Sequence, residues 1–173
     1  MSIRLLIGGA RAGKSTIAAK LATAIGAPVT FVATAEVGDE EMERRIAWHR
    51  ADRPAEWITI EEPIDLVGAI GRAGAGTVIV DCLTLWTSNL MLSGLSDGEI
   101  EQRAAEVARL TSERASTSLV VTNEVGMGVV PASEMGRRFR DLLGRVNSLW
   151  ADEAAEVLLV VAGRATRVVP VDS

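Results

Sequence analysis

The chain is 173 residues long, 48% hydrophobic and 24% charged, with a formal net charge of −5. That length suits one well-packed domain over residues 1–173 and is short for two. The acidic balance and the scarcity of aromatics, with no tyrosine, argue against the basic stripe and stacking platform of a nucleic-acid binder; no apolar run approaches the roughly 20 residues of a membrane span.

The chain enters its first strand at Ile3, which leaves no room for a leader peptide and predicts a cytoplasmic protein. Cys82 is its only cysteine, so no internal disulfide or thiolate metal cluster can form, and its apolar setting predicts a buried, reduced thiol.

The first predicted element is an apolar strand at 3–7, and the segment directly after it carries the strongest chemical signal. Gly8, Gly9, Ala10, Arg11, Ala12, Gly13, Lys14 and Ser15 have the spacing of a phosphate-binding loop ahead of a helix at 14–24. Glycines let backbone N–H groups close on phosphate oxygens where a Cβ would stand in the way. Lys14 then reaches the β- and γ-phosphates, Ser15 offers a hydroxyl to Mg²⁺, and the helix N-terminus adds its partial positive charge.

A second strand at 29–33 runs into Ala33, Thr34 and Ala35, which either touch nucleotide or make a plain strand-to-loop turn. A charged helix is predicted at 39–50, ending before Pro54, which disfavours helical geometry in the residue before it. It carries His49, the only histidine, among Arg44, Arg45, Arg50 and Arg53. Arg45 and Arg53 stand four positions to either side of the imidazole, so the group is either a seat for a polyphosphate or a solvated face with an incidental histidine.

Further strands are predicted at 57–60, 77–81, 118–122, 157–162 and 166–169, with helices at 63–72, 84–92, 96–114 and 134–153. Strands alternating with helices predict a parallel sheet covered on both faces, closed by an antiparallel hairpin at the C-terminal edge. The run 77–81 ends in Asp81, the pattern of a carboxylate that supports Mg²⁺ beside a phosphate loop. Ser96 and Glu99 form a capping box, and the stripe Ile100, Ala104, Val107, Ala108 and Leu110 fits a helix packed on the sheet. After the fifth strand, Asn123, Glu124, Gly126 and Gly128 make either a substrate-facing loop or a tight turn with an exposed acid.

Four segments in this order carry a resemblance to a known family. They are the phosphate loop, Arg-Ile-Ala-Trp-His-Arg-Ala-Asp-Arg-Pro-Ala-Glu-Trp at 45–57, Val-Thr-Asn-Glu-Val-Gly-Met-Gly-Val-Val-Pro at 121–131 and Phe-Arg-Asp-Leu-Leu-Gly-Arg-Val-Asn at 139–147. Together they resemble the bifunctional adenosylcobinamide kinase/adenosylcobinamide-phosphate guanylyltransferase of cobalamin biosynthesis, over nearly the whole chain. The resemblance implies a P-loop NTPase (RecA-like) fold in the α/β class, a homotrimer, and substrates ATP or GTP with Mg²⁺ and the corrinoid. It implies two reactions: a γ-phosphoryl group passes to the aminopropanol hydroxyl of adenosylcobinamide, and GMP passes from GTP through a histidine to adenosylcobinamide phosphate. His49 stands at the guanylylated position, and Lys14 counts with it as catalytic because it neutralises the triphosphate. Residues 8–15, Ala33, Thr34, Ala35, Arg50, Ala51, Asp52, Arg53, Glu61 and Asp81 stand at the nucleotide contacts, although Glu61 also reads as a surface acid in a turn. Two departures from the family pattern, no acid after Pro131 and Val-Asn-Ser at 146–148 in place of Asn-Gln, bear only on local packing or corrinoid contacts.

Two other functions stay open on the sequence: a nucleotide-gated regulatory module that transfers nothing, and a small-molecule kinase without guanylyl transfer. A covalent enzyme–GMP adduct separates the first from the bifunctional reading, and replacement of His49 separates the second.

Overall fold

The computed structural model describes residues 3–26, 28–36 and 53–171. The helix predicted at 39–50, and with it His49, Arg50, Ala51 and Asp52, lies outside the described residues. The strands are β1 (Ile3–Gly8), β2 (Val29–Ala33), β3 (Ile58–Glu61), β4 (Thr77–Asp81), β5 (Ser118–Asn123), β6 (Ala154–Val161) and β7 (Arg164–Val168). The helices are α1 (Lys14–Ile25), α2 (Leu66–Arg72), α3 (Leu83–Leu92), α4 (Asp97–Ser112) and α5 (Glu134–Asp152).

All strands join one sheet in the order β3-β2-β4-β5-β1-β6-β7. The pairs from β3 to β6 are parallel, and β7 returns antiparallel along β6. Side chains alternate across such a sheet, and here both faces are buried, which is why the strands read as continuous apolar runs. Leu5, Val78, Val80 and Val120 face a core built with α2, α3, α4 and α5, including Trp86, Ile100, Leu142 and Trp150. Leu6, Ile79, Leu119 and Val121 face the opposite core, where Ala18 and Ala22 bring α1 against Phe31 and Val160. Trp86 and Leu90 are buried in the first core while Leu92 is 71% exposed, so the apolar run of α3 serves mainly the interior.

Local chemistry sets the boundaries. The capping box on α4 forms as the spacing predicts: the Ser96 hydroxyl accepts from the Glu99 N–H, and the Ser96 N–H donates to Glu99 Oε2 at 2.8 Å. Helix α2 starts at Leu66 rather than 63, because Glu62 accepts from the Ile64 and Asp65 amides and Asp65 then caps the helix through the Gly68 N–H at 2.9 Å. Strand β6 starts three residues before the expected 157. Ala154, Ala155 and Glu156 have weak strand preference, but the neighbouring β1 imposes the pairing and Arg4 meets Glu156 at 3.2 Å. The β6–β7 hairpin turns on Ala162 and Gly163, with φ of 50 and 72, the left-handed pair that matches strand twist in a two-residue loop.

Candidate active site

The phosphate loop leaves the C-terminal end of β1 and enters α1, and its backbone shows why these residue types are needed. Gly8 lies between Asn123 of β5 and Val160 of β6 in register, and a Cβ there would run into the Val160 carbonyl oxygen. Arg11 and Gly13 take left-handed backbone, with φ of 58 and 98, which turns N–H groups toward the inside of the loop. Helix α1 begins at Lys14 without a side-chain cap, so its first N–H groups have no side-chain acceptor, as an anion site requires.

The hairpin turn supports this loop from the far side. The Gly163 N–H donates to the Ala12 carbonyl at 2.8 Å, and a Cβ on Gly13 would sit 3.2 Å from Gly163 Cα. Lys14 is 7% exposed, and its ammonium donates to the Gly8 and Gly9 carbonyls at 3.0 and 2.7 Å. The charge is therefore held over the mouth of the loop.

Asp81 ends β4, two strands from β1, and Ser15 stands in the first turn of α1; both are half-buried. Among the described residues the Asp81 carboxylate forms no hydrogen bond or ion pair, which suits a hard cation that shares one protein carboxylate and one hydroxyl with phosphate oxygens. Bound there, Mg²⁺ would neutralise charge on the transferring phosphates.

Of the other predicted contacts, Ala33, Thr34, Ala35 and Glu61 are among the described residues and fall along the same edge. Ala33 ends β2 with Thr34 and Ala35 directly after it, and Glu61 at the end of β3 is the register partner of Ala33. At about 4.8 Å per strand, the row from β1 to β3 spans roughly 19 Å. Thr34 is fully buried: its hydroxyl donates to the Cys82 carbonyl at 2.7 Å and accepts from the Cys82 N–H at 2.8 Å. Its backbone N–H donates to the Asp81 carbonyl and its own carbonyl accepts from Asn89 Nδ2, so this residue locks the ends of β2 and β4 together. Arg53 stacks on the Phe31 ring at 3.6 Å to the centroid and donates to the Thr59 hydroxyl at 3.3 Å.

Cys82 is buried, as its neighbours predict. Burial pushes its thiol up to about 11, and the adjacent Asp81 charge pushes the same way. The folded thiol stays protonated up to that value, whereas an unfolded one ionises near 8.5, so this group's share of stability is lost as pH rises through that window. A thiol reagent at pH 8 is expected to leave Cys82 untouched in the folded protein and to modify it fully in denaturant. Rapid modification of the native chain would contradict its burial.

Sequence reasoning missed three groups that shape the site. Gly163 lies far along the chain from the loop it supports. Thr84 accepts from the Asn123 N–H at 2.8 Å, and Asn147 accepts from the Thr122 hydroxyl at 2.7 Å. On sequence, the departure at 146–148 bears only on packing or corrinoid contacts; in the fold, the Asn147 amide grips the strand end that adjoins the phosphate loop. A readable signal existed: Asn147 interrupts the apolar stripe of Leu142, Leu143, Val146 and Trp150.

A parallel sheet whose first strand feeds a phosphate loop, with an acid at the end of β4, defines a P-loop NTPase-type nucleotide-binding fold. Solved structures agree: a prototypical ATPase from the type III secretion system of pathogenic bacteria superposes with a TM-score of 0.57 at 10% identity, over 91% of this chain and 50% of that one. The type III secretion ATPase EscN of enteropathogenic E. coli gives 0.59 at 10% identity, over 93% of this chain and 43% of that one. These likenesses speak to fold alone.

Residues 4–168 match the CobU family, cobinamide kinase / cobinamide phosphate guanyltransferase, and the chain belongs to that family of cobalamin-biosynthesis enzymes. It is 44% identical over 164 residues to the bifunctional adenosylcobalamin biosynthesis protein CobP of Pseudomonas aeruginosa, covering 92% of each. It is 39% identical over 175 residues to the bifunctional adenosylcobalamin biosynthesis protein CobU of Salmonella typhimurium, covering 92% of this chain and 95% of that one. Among the described residues no helix is long and apolar enough to cross a membrane.

Proposed function

We propose that this chain, acting as one nucleotide-binding unit over residues 1–173, catalyses two successive transfers in the cytoplasm, as a homotrimer. In the first, the aminopropanol hydroxyl of adenosylcobinamide attacks the γ-phosphorus of ATP or GTP. A new P–O bond forms, the bond to the β-phosphate oxygen breaks, and the nucleoside diphosphate and the hydroxyl proton leave. In the second, an imidazole nitrogen of His49 attacks the α-phosphorus of GTP and pyrophosphate departs. A phosphate oxygen of adenosylcobinamide phosphate then attacks the same phosphorus, the P–N bond breaks, and adenosylcobinamide-GDP is released with the imidazole restored.

The roles divide by residue. The loop from Gly8 to Ser15 and Lys14 neutralise the triphosphate, Ser15 and Asp81 hold Mg²⁺, and Arg50, Arg53 and the neighbouring Ala51 and Asp52 line the guanylyl step. Ala33, Thr34, Ala35 and Glu61 lie along the path the nucleotide takes from the loop toward β3. The observation that supports this reading most is the family match across residues 4–168, on a chain whose single histidine stands in sequence among Arg44, Arg45, Arg50 and Arg53.

The test is incubation with α-labelled GTP and Mg²⁺, with mass analysis of labelled peptides. An acid-labile, base-stable label within residues 45–53 is the expected result. No label, or label on a lysine, would overturn the histidine intermediate.

A further inference from the structure

Helix α5 presents an apolar stripe to the sheet, yet Asn147 stands within that stripe at 6% exposure. A primary amide in such a place is costly unless both its ends are paired. Both are: Oδ1 accepts from the Thr122 hydroxyl at 2.7 Å, and Nδ2 donates to the Asn123 carbonyl at 3.0 Å. From the other side of the same residue, Thr84 at the start of α3 accepts the Asn123 N–H at 2.8 Å. Two helices thus fix the last peptide groups of β5, just where the strand runs out of ladder partners.

The next residue carries the effect to the phosphate loop. The Glu124 N–H donates to the Gly8 carbonyl at 3.0 Å, and the same carbonyl accepts from the Lys14 ammonium at 3.0 Å. A continuous path therefore runs from the Asn147 amide through Asn123 and Glu124 to the oxygen that shares Lys14. The Glu124 carboxylate is itself folded back onto the Gly126 N–H at 2.5 Å, so its direction depends on where the strand end is held.

We propose that Asn147 is a positioning residue for the phosphoryl-acceptor side of the site. By fixing Asn123 it sets the place of Glu124, and of the loop beyond it, relative to Lys14, and so the approach of an acceptor hydroxyl to the γ-phosphorus. This rests on the kinase activity proposed above. Lys14 keeps its shorter bond to the Gly9 carbonyl, at 2.7 Å, when the Gly8 end of this path relaxes, and attack of His49 on GTP needs no acceptor beside Glu124, so the two half-reactions respond differently when the amide is removed.

Asn147→Leu keeps the branched outline of four side-chain heavy atoms and removes both hydrogen bonds. The expected result is a fall in kcat for phosphorylation of the corrinoid by about ten- to a hundredfold, from misplacement of reacting groups, with KM for ATP nearly unchanged. Single-turnover formation of enzyme–GMP from labelled GTP should stay close to wild type. A purely structural role predicts that both reactions fall together, in step with a lowered urea midpoint. If Asn147→Leu does not fold, Thr84→Val frees the Asn123 N–H from the opposite helix and serves the same comparison. Equal losses in both half-reactions, or no loss in either, overturn the inference while wild type remains active in both. A wild type with no kinase activity overturns the functional reading, and this inference with it.

Discussion

Lys14→Ala is expected to lower both phosphoryl transfer from ATP and formation of enzyme-bound GMP from GTP, each by about 10²–10³-fold in rate. The two reactions share little at the reacting phosphorus, yet each builds negative charge on a leaving group: a nucleoside diphosphate in the first and pyrophosphate in the second. One ammonium held over the loop by the Gly8 and Gly9 carbonyls is placed to meet either charge. Being only 7% exposed, it is largely shielded from water, so its attraction to phosphate is felt at reduced dielectric. Lys14→Arg should not restore activity, because a planar, spread guanidinium does not reproduce a compact point charge. Rates from labelled ATP and labelled GTP, taken with the urea midpoint of each variant, check this. Loss of one activity with the other intact would mean two separate triphosphate seats.

The β-branched runs make most of the sheet readable without coordinates. Strands β2 and β4 occupy the residues expected, because Val, Ile, Thr and Phe buried on both faces leave no competing period. The displaced starts of β6 and α2 have one cause. Ala154 to Glu156 and Pro63 to Asp65 take their conformation from a neighbour, β1 in one case and the Glu62 carboxylate in the other, and such contacts leave no trace in local preference.

The site divides in a similar way. The phosphate loop is legible because its chemistry is local: glycine where φ is positive or a Cβ would collide, lysine and serine at fixed offsets. Thr34 reads on sequence as a nucleotide contact or a turn, and its buried hydroxyl joins the ends of β2 and β4. The supports at Thr84, Asn147 and Gly163 act across 39, 24 and more than a hundred residues of chain respectively. Nothing in their own neighbourhoods encodes those partners. Only a polar residue set in an apolar stripe, as at 147, gives a hint that a buried acceptor waits opposite.

His49→Ala is expected to remove guanylyl transfer by about 10⁴-fold or more while leaving phosphorylation of the corrinoid nearly intact. A histidine nucleophile has no substitute in this chain, since there is no second imidazole. The other nitrogens able to form a phosphoramidate are few: Lys14 and Lys20 are the only lysines. Lys14 is buried over the loop, and Lys20 is exposed on α1, so a label on either would map to peptides distinct from 45–53. Phosphoryl transfer to a hydroxyl needs no covalent carrier, which is why the kinase rate should survive the change. Label transfer from α-labelled GTP and from γ-labelled ATP, run side by side on the variant, gives both answers from one preparation. If both transfers disappear in a variant that unfolds at the wild-type urea concentration, His49 serves the triphosphate as a whole rather than the GMP carrier step alone, and a two-stage division of labour within one nucleotide site no longer holds.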